Sequence, residues 1–196
     1  MKTDKFNYDL PEYLIAQYPS SQRTDSKLLV AIESIKHQVF RDIENYIHKG
    51  DLLILNKTSV IPARLHGEKS TGGKIEVLLE RFLSNHQTLT QVRSSRSPKE
   101  GSELVFAFNG KKFLATVTGR QDNFFILDWS YDPKYLFEQY GQIPLPPYMN
   151  RAAEKLDEER YKTIYADPDK KESVAAPTAG MLFDHELLNV LMHKGV

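Results

Sequence analysis

The chain has 196 residues, 40% of them hydrophobic and 27% charged, with 26 basic side chains set against 26 acidic ones. That length carries one ordinary domain or two small ones, and the composition is that of a folded globular protein. The absence of cysteine excludes disulfide staples, thiolate nucleophiles and cysteine-based zinc sites, and zero net charge gives no bulk case for a polyanionic partner.

In chain order, the opening "MKTDKFNYDLPEY" lacks an apolar core of signal-peptide length, and no later run is apolar enough to span a bilayer. A cytoplasmic protein without membrane contact is expected. "KLLVAI" at 27–32 predicts a strand, and 41–48 a short amphipathic helix stopped by Gly50. "DLLILN" at 51–56 is a continuous apolar run of buried-strand length. Helix followed by strand predicts an α/β layer.

The pattern changes after Asn56. "VIPARLHGEK", "GGKIEVLLERFL", "QTLTQVRSS", "SELVFAF", "KKFLATVTGR" and "NFFILDWS" are short, rich in β-formers and separated by turn residues. Asn109-Gly110 between two alternating runs is a strong hairpin signal, because both positions tolerate positive φ. Six such strands predict a small β-barrel or a sandwich. Between residues 64 and 120 there are 10 basic and 5 acidic residues, and between 121 and 172 there are 7 basic and 11 acidic. Such unevenness is usually surface scatter, and a polyanion patch is the sharper alternative.

Helical periodicity returns at 133–140 and again at 156–165, on either side of the proline-broken "GQIPLPPYMNR". Asp184 is placed to cap a last helix that carries Leu187, Leu188, Leu191 and Met192 on one face, with Gly195 after it. The architecture expected is a mixed α/β domain, partial and barrel-like, with an inserted all-β barrel domain. Its boundaries fall at 1–60 (α/β, first part), 61–132 (inserted barrel) and 133–196 (α/β, second part).

Four segments offer chemistry. Asn56 and Thr58 follow a predicted buried strand, where α/β folds present ligand-binding groups, and Arg64 supplies a fork for carboxylate or phosphate. The bland alternative is an Asx turn beside a surface arginine. Lys74 and Glu76 share one strand face, opposite Ile75 and Val77, and Arg93 and Arg96 are further phosphate candidates. Pro146 and Pro147, with Pro144, stiffen a path that leads to Tyr148 and Arg151, suited to a base and an anion or to a plain connector. In "SVAAPTAG", Ala175, Ala176, Ala179 and Gly180 bare the main chain, Pro177 fixes its course and Thr178 is the one hydroxyl after Ser173. Free N–H groups of the helix that follows would point to the same place. The alternative is tight packing. The six histidines show no ligand spacing, so no metal is expected, and no nucleophile elbow occurs.

Taken in order, "NKTSVIPARL", "GGKIEVLLE", "GQIPLPPYMNR", "ERYKTIYA" and "SVAAPTAGMLF" resemble the S-adenosylmethionine:tRNA ribosyltransferase-isomerases of queuosine biosynthesis. The resemblance runs from Phe6 to Val196 and adds Tyr165, in the fourth block, to the substrate-binding candidates. It implies transfer and isomerisation of the ribosyl moiety of S-adenosylmethionine onto 7-aminomethyl-7-deazaguanine (preQ1) at the tRNA wobble position, giving epoxyqueuosine. S-adenosylmethionine is then a substrate, with no prosthetic group, and tRNA is the partner. The general base stays unassigned.

Three departures matter. Lys57 and Ser59 stand where such sequences read N-[D/N]-T-R-V, and Leu182 stands where they carry histidine. The family also continues well beyond "KGV", so its carboxy-terminal half is expected to be missing here or to be a separate partner. A truncated, noncatalytic tRNA- or nucleotide-binding homologue, or half of a split enzyme, is the alternative. An exposed sheet edge leaves monomer and dimer both open.

Overall fold

The computed structural model describes residues 2–167 and 175–196. Ser173 and Val174 of the "SVAAPTAG" block lie outside the described residues. The chain divides into two compact units, one of Met1–Leu53, Leu145–Ala152 and Leu182–Val196, the other of Ile54–Pro144 and Ala153–Met181.

The second unit is built on a closed barrel of six antiparallel strands in the order β3-β4-β5-β8-β7-β6. These are β3 (Arg64–Lys69), β4 (Lys74–Phe82), β5 (Gln87–Ser94), β6 (Glu103–Phe108), β7 (Lys111–Gln121) and β8 (Phe124–Trp129). They coincide with the six predicted runs, and closure decides for a barrel over a sandwich. Turn chemistry fixes the hairpins: Asn109 and Gly110 have φ of 49° and 77°, and Gly72 has φ of 87°. Alternation builds the core, since Ile75, Val77 and Leu79 point inward with Leu65, Leu104, Phe106, Val117 and Leu127. Trp129 closes the interior, its indole N–H donating to the buried Thr88 hydroxyl at 2.8 Å. Helix α1 (Pro133–Tyr140), capped by Asp132 through the Lys134 amide, adds Leu136 and Phe137 to that core. A shorter helix, α2 (Lys155–Arg160), occupies only the first part of the predicted 156–165 helix.

In the first unit, β1 (Lys27–Ala31) and β2 (Ile35–Val39) form an antiparallel hairpin, and a 3-10 turn follows at Phe40–Asn45. The last helix, α3 (His185–Lys194), is capped by Asp184, which accepts from the Leu187 amide at 2.8 Å and from the Thr24 hydroxyl at 3.1 Å. Gly195 ends it at φ 88°. Phe40 and Phe183 meet edge to face with ring centroids 5.0 Å apart, and Leu187 and Leu191 are buried.

Several expectations are corrected here. The helix expected at 41–48 is a 3-10 turn, because residues 35–39 leave as a strand that returns along β1. Residues 51–56 form no strand: Leu52 and Ile54 are 85% and 84% exposed, and a strand without a ladder partner has no means to bury them. The α/β layer is thus not formed among the described residues, where the first unit's sheet is a two-stranded antiparallel hairpin. Met192 faces outward at 63% exposure, because the buried stripe of α3 runs only through Leu187 and Leu191, four residues apart.

Candidate functional site

Within the barrel unit, two of the four predicted segments are linked by short contacts through the block that holds Tyr165. Asn56 folds back on itself: its side-chain carbonyl accepts from the Thr58 amide at 2.9 Å and from the Thr58 hydroxyl at 2.8 Å. This is the Asx turn foreseen as the bland alternative, and it holds Asn56 and Thr58 as one rigid corner. The Lys57 carbonyl, at the tip of that corner, accepts the Asp167 amide at 2.9 Å, tying in the "KTIYAD" segment. That segment then touches the bare loop. A Cβ at Gly180 would lie 2.3 Å from the Tyr165 hydroxyl and 3.0 Å from a Thr163 methyl. Gly180 is small because Tyr165 and Thr163 occupy the volume.

The loop itself is open. Ala175, Thr178 and Ala179 are exposed, Ala176, Pro177 and Gly180 half-buried, and a 3-10 turn begins at Thr178. One expectation changes at this point. The Gly180 amide donates to the Pro177 carbonyl at 2.9 Å, and the Leu187 amide is taken by Asp184. The Leu187 amide of the helix that follows is therefore used internally. What the cluster presents is exposed main chain, the Thr178 side chain and a Tyr165 phenol whose pKa burial raises above the usual value. That phenol is a neutral hydrogen-bond donor at neutral pH and a poor base. Beside it, the Thr163 hydroxyl is buried with no hydrogen-bond partner among the described residues. An orphaned buried hydroxyl is uncommon and calls for a reason.

The barrel's outer face gathers a second group. Arg64 Nε lies 3.6 Å from a Glu76 carboxylate oxygen, so this arginine is paired across strands rather than free at the surface. Its main chain exchanges two hydrogen bonds with Gln142, at 3.1 and 2.8 Å. Gly141 permits that approach, since a Cβ there would stand 2.0 Å from the Pro62 carbonyl oxygen. Arg93 stands directly opposite Glu76 in the β4–β5 ladder, and Lys74 opposite Glu68 in the β3–β4 ladder, all four on the outer face. Arg96 is exposed, and its carbonyl accepts from Lys69 Nζ at 3.0 Å.

The remaining candidates belong to the first unit. Pro146 leads into a 3-10 turn at Pro147–Met149, and Tyr148 is 60% exposed. Arg151 is occupied: its Nε donates to the Gln17 carbonyl at 2.7 Å, and its guanidinium lies 4.5 Å from the Tyr18 ring centroid. It fastens the amino-terminal segment and offers less to an outside anion than its sequence context suggested. Of the departures, Lys57 is exposed, while Ser59 and Leu182 are half-buried. No group of three or more His, Cys, Asp or Glu side chains fit to hold a metal occurs among the described residues.

Sequence reasoning missed Thr163, Asp167 and Gln142. Each acts through a contact with a distant segment, and none has a local pattern that marks it. Only "ERYKTIYA", as a block, pointed near two of them.

The comparisons with known proteins decide the kinship. The profile of the queuosine biosynthesis protein family matches residues 3–196. The chain belongs to that family. A protein of Acinetobacter baylyi named S-adenosylmethionine:tRNA ribosyltransferase-isomerase is 45% identical over 199 residues, covering 100% of this chain and 57% of that protein. Its namesake in Acinetobacter baumannii strain ATCC 17978 is 44% identical over 198 residues, again over 100% of this chain and 57% of the relative. A solved S-adenosylmethionine tRNA ribosyltransferase from Thermotoga maritima shares 31% identity and covers 98% of this chain and 55% of that one, with a TM-score of 0.37. The chain therefore spans a little over half the length of the relatives it matches.

Proposed function

We propose that this chain is the amino-terminal portion of an S-adenosylmethionine:tRNA ribosyltransferase-isomerase, and that the cluster at 56–58, 163–167 and 175–180 contacts the sulfonium nucleoside. One observation carries the reading: the Asx corner, Tyr165 and the Ala-Pro-Thr-Ala-Gly loop are joined by direct contacts, while Thr178 and Ala179 stay open to solvent. Exposed main chain without bulky side chains lets a flat purine or a ribose lie against the backbone. Thr178 supplies a hydroxyl for ribose, and the neutral Tyr165 phenol donates a hydrogen bond without adding charge beside a sulfonium cation.

The chemistry asks for these features. A sulfonium acidifies the adjacent ribose carbon, so a base removes a proton there. Adenine then leaves with the electron pair of its glycosidic bond, the aminomethyl nitrogen of preQ1 attacks the ribosyl group, and methionine leaves as the carbon–sulfur bond breaks and the epoxide closes. Each step gains from shelter from water and from donors placed where charge develops. The raised pKa of Tyr165 speaks against the phenol as that base, so the base lies elsewhere or in the family's remaining length.

A cytoplasmic setting and an S-adenosylmethionine substrate without prosthetic group belong to this proposal. So does the insertion of a barrel at 61–132 between the flanking segments, which is supported by all six barrel strands falling within 64–129. Among the described residues no helix is long and apolar enough to cross a membrane. A second reading, a noncatalytic RNA-binding homologue, is favoured by the excess of 10 basic over 5 acidic residues in 64–120.

The experiment is adenine release from S-adenosylmethionine in the presence of preQ1-tRNA, with this chain alone and with the remaining length of the Acinetobacter baylyi relative supplied in trans. Adenine from the mixture, lost on Ala179→Leu, supports catalysis. RNA binding without adenine release in the mixture supports the second reading.

A further inference from the structure

The barrel is closed, yet one of its seams is short. β3 and β6 pair over two residues only, Glu68 with Val105 and Lys69 with Leu104, whereas the β4–β5 ladder covers seven registered pairs. Beyond Glu68 the two strands part. Gly67 still touches β6, since a Cβ there would meet the Val105 carbonyl oxygen at 2.6 Å and the Phe106 ring at 2.7 Å. From His66 onward the ladder is absent, and the outer surface opens into a cleft of about 510 Å³. Its lining combines Ile75, Val105 and Ala107 with His66, Glu68, Lys74 and Lys112. The His66 edge of β3, between the Glu68–Val105 pair and the Arg64–Gln142 bridge, and the facing edge of β6 border it.

We infer that this cleft holds one nucleotide of single-stranded RNA, with phosphate on Lys112 and Lys74 and the base against Val105, Ala107 and the open strand edges. The inference deepens the proposed function, on which it rests, by giving tRNA a subsite on the barrel. Volume, lining and charge agree. The cleft is of small-ligand size, which takes an unpaired nucleotide and not a duplex. Apolar side chains beside cations suit a molecule that is flat and greasy at one end and anionic at the other. Lys112 stands opposite Ala107 in the β6–β7 ladder, so its ammonium is carried on the rim. Glu68 stands opposite Lys74 and tempers it. That carboxylate makes the sign of the effect testable, because removing it strengthens binding to an anion. Unpaired strand edges add main-chain donors and acceptors of the kind that read bases in β-barrel and sheet platforms.

The test uses the whole chain and a fluorescent 17-nucleotide anticodon stem-loop, with anisotropy followed across a salt series. Lys74→Gln and Lys112→Gln should each weaken binding by about threefold to tenfold. Together they should flatten the slope of log affinity against log salt by about 0.7, the loss of one neutralised phosphate on a single strand. Glu68→Gln should tighten binding about twofold to threefold, and Ala107→Trp, which fills the cleft from an exposed position, should weaken it about tenfold or more. Lys99→Gln, outside the cleft, should change affinity less than twofold. Unaltered circular dichroism and melting keep the comparison valid. If the parent chain binds the stem-loop and the four single variants in the cleft match it, the cleft inference is overturned while tRNA recognition stands. If polyglutamate competes as well as the stem-loop does, the cleft is a general anion site and the inference again fails. If the parent binds no RNA, the proposed function falls with it.

Discussion

Gly141 and Gly180 both lack a side chain because another group occupies the space, but the two groups yield differently. At Gly141 a methyl would meet two carbonyl oxygens of the main chain, at 2.0 and 2.3 Å, and neither can move without shifting Pro62 or helix α1. At Gly180 it meets the tip of Tyr165 at 2.3 Å and a Thr163 methyl at 3.0 Å. Gly141→Ala is therefore expected to destabilise the barrel unit by about 3 kcal/mol, and Gly180→Ala by about 1 kcal/mol. Urea denaturation monitored through the single buried tryptophan, Trp129, gives both values. Tyr165 adds a pH dependence. Burial raises its folded pKa above the unfolded value of 10.0, so its contribution is fully present below pH 10 and is lost as pH rises towards the folded pKa. Tyr165→Phe should leave stability at pH 7 nearly unchanged and remove part of the alkaline loss, read from denaturation midpoints between pH 8 and 11. The sequence showed that the "AAPTAG" backbone is bare, but not what it is bare for. The neighbours of Gly180 come from residues 163–165, and that of Gly141 from Pro62, contacts that no local pattern encodes.

Among the elements, the barrel strands were legible because alternation, β-branched content and turn glycines agree, as at Asn109-Gly110. Helix α1 was legible for the same reason, with Asp132 and Pro133 marking its start. Residues 51–56 depart from the expected strand because apolar content does not supply a ladder partner. Leu52 and Ile54 are as apolar as any strand residue, and periodicity says nothing about whether a second strand is there to pair. Nor did the pattern foresee a buried polar link across the barrel. Thr88, on β5, accepts from the Trp129 indole at 2.8 Å at the end of β8. Thr88→Val should leave that N–H unmet in an apolar interior and cost about 1–3 kcal/mol. Thr88→Ser should cost less, since it keeps the hydroxyl and loses only a methyl. Equal midpoints for the parent and Thr88→Val in urea would remove the bond from the account. At the other end of the chain, Asp184→Ala should loosen the first turn of α3 by about 1 kcal/mol. Faster amide exchange at Leu187 and Leu188, with Leu191 less affected, is the expected pattern.

For the whole molecule, the family match across 3–196 and relatives nearly twice as long frame what this chain is able to do. The barrel unit is well furnished, with a continuous core, satisfied hairpins and a charged outer face. The first unit has a two-stranded sheet and many exposed apolar side chains, among them Leu29, Ile32 and Ile35 at 59%, 73% and 70%. A two-stranded hairpin with an uncovered apolar face is weakly stable, so amide exchange in β1 and β2 should be much faster than in β4 and β5. At this scale the fold was half legible. Barrel and helices follow from local pattern, whereas the expected α/β layer needs strands that residues 27–56 do not supply. The functional account depends on one proposal, that the cluster of residues 56–58, 163–167 and 175–180 binds S-adenosylmethionine. The direct measurement is a nitrogen-15 amide shift titration of the chain with S-adenosylmethionine. The account predicts saturable shifts concentrated at Asn56, Thr58, Thr163, Tyr165, Thr178, Ala179 and Gly180. Shifts confined to other residues, or none at millimolar ligand, would contradict it.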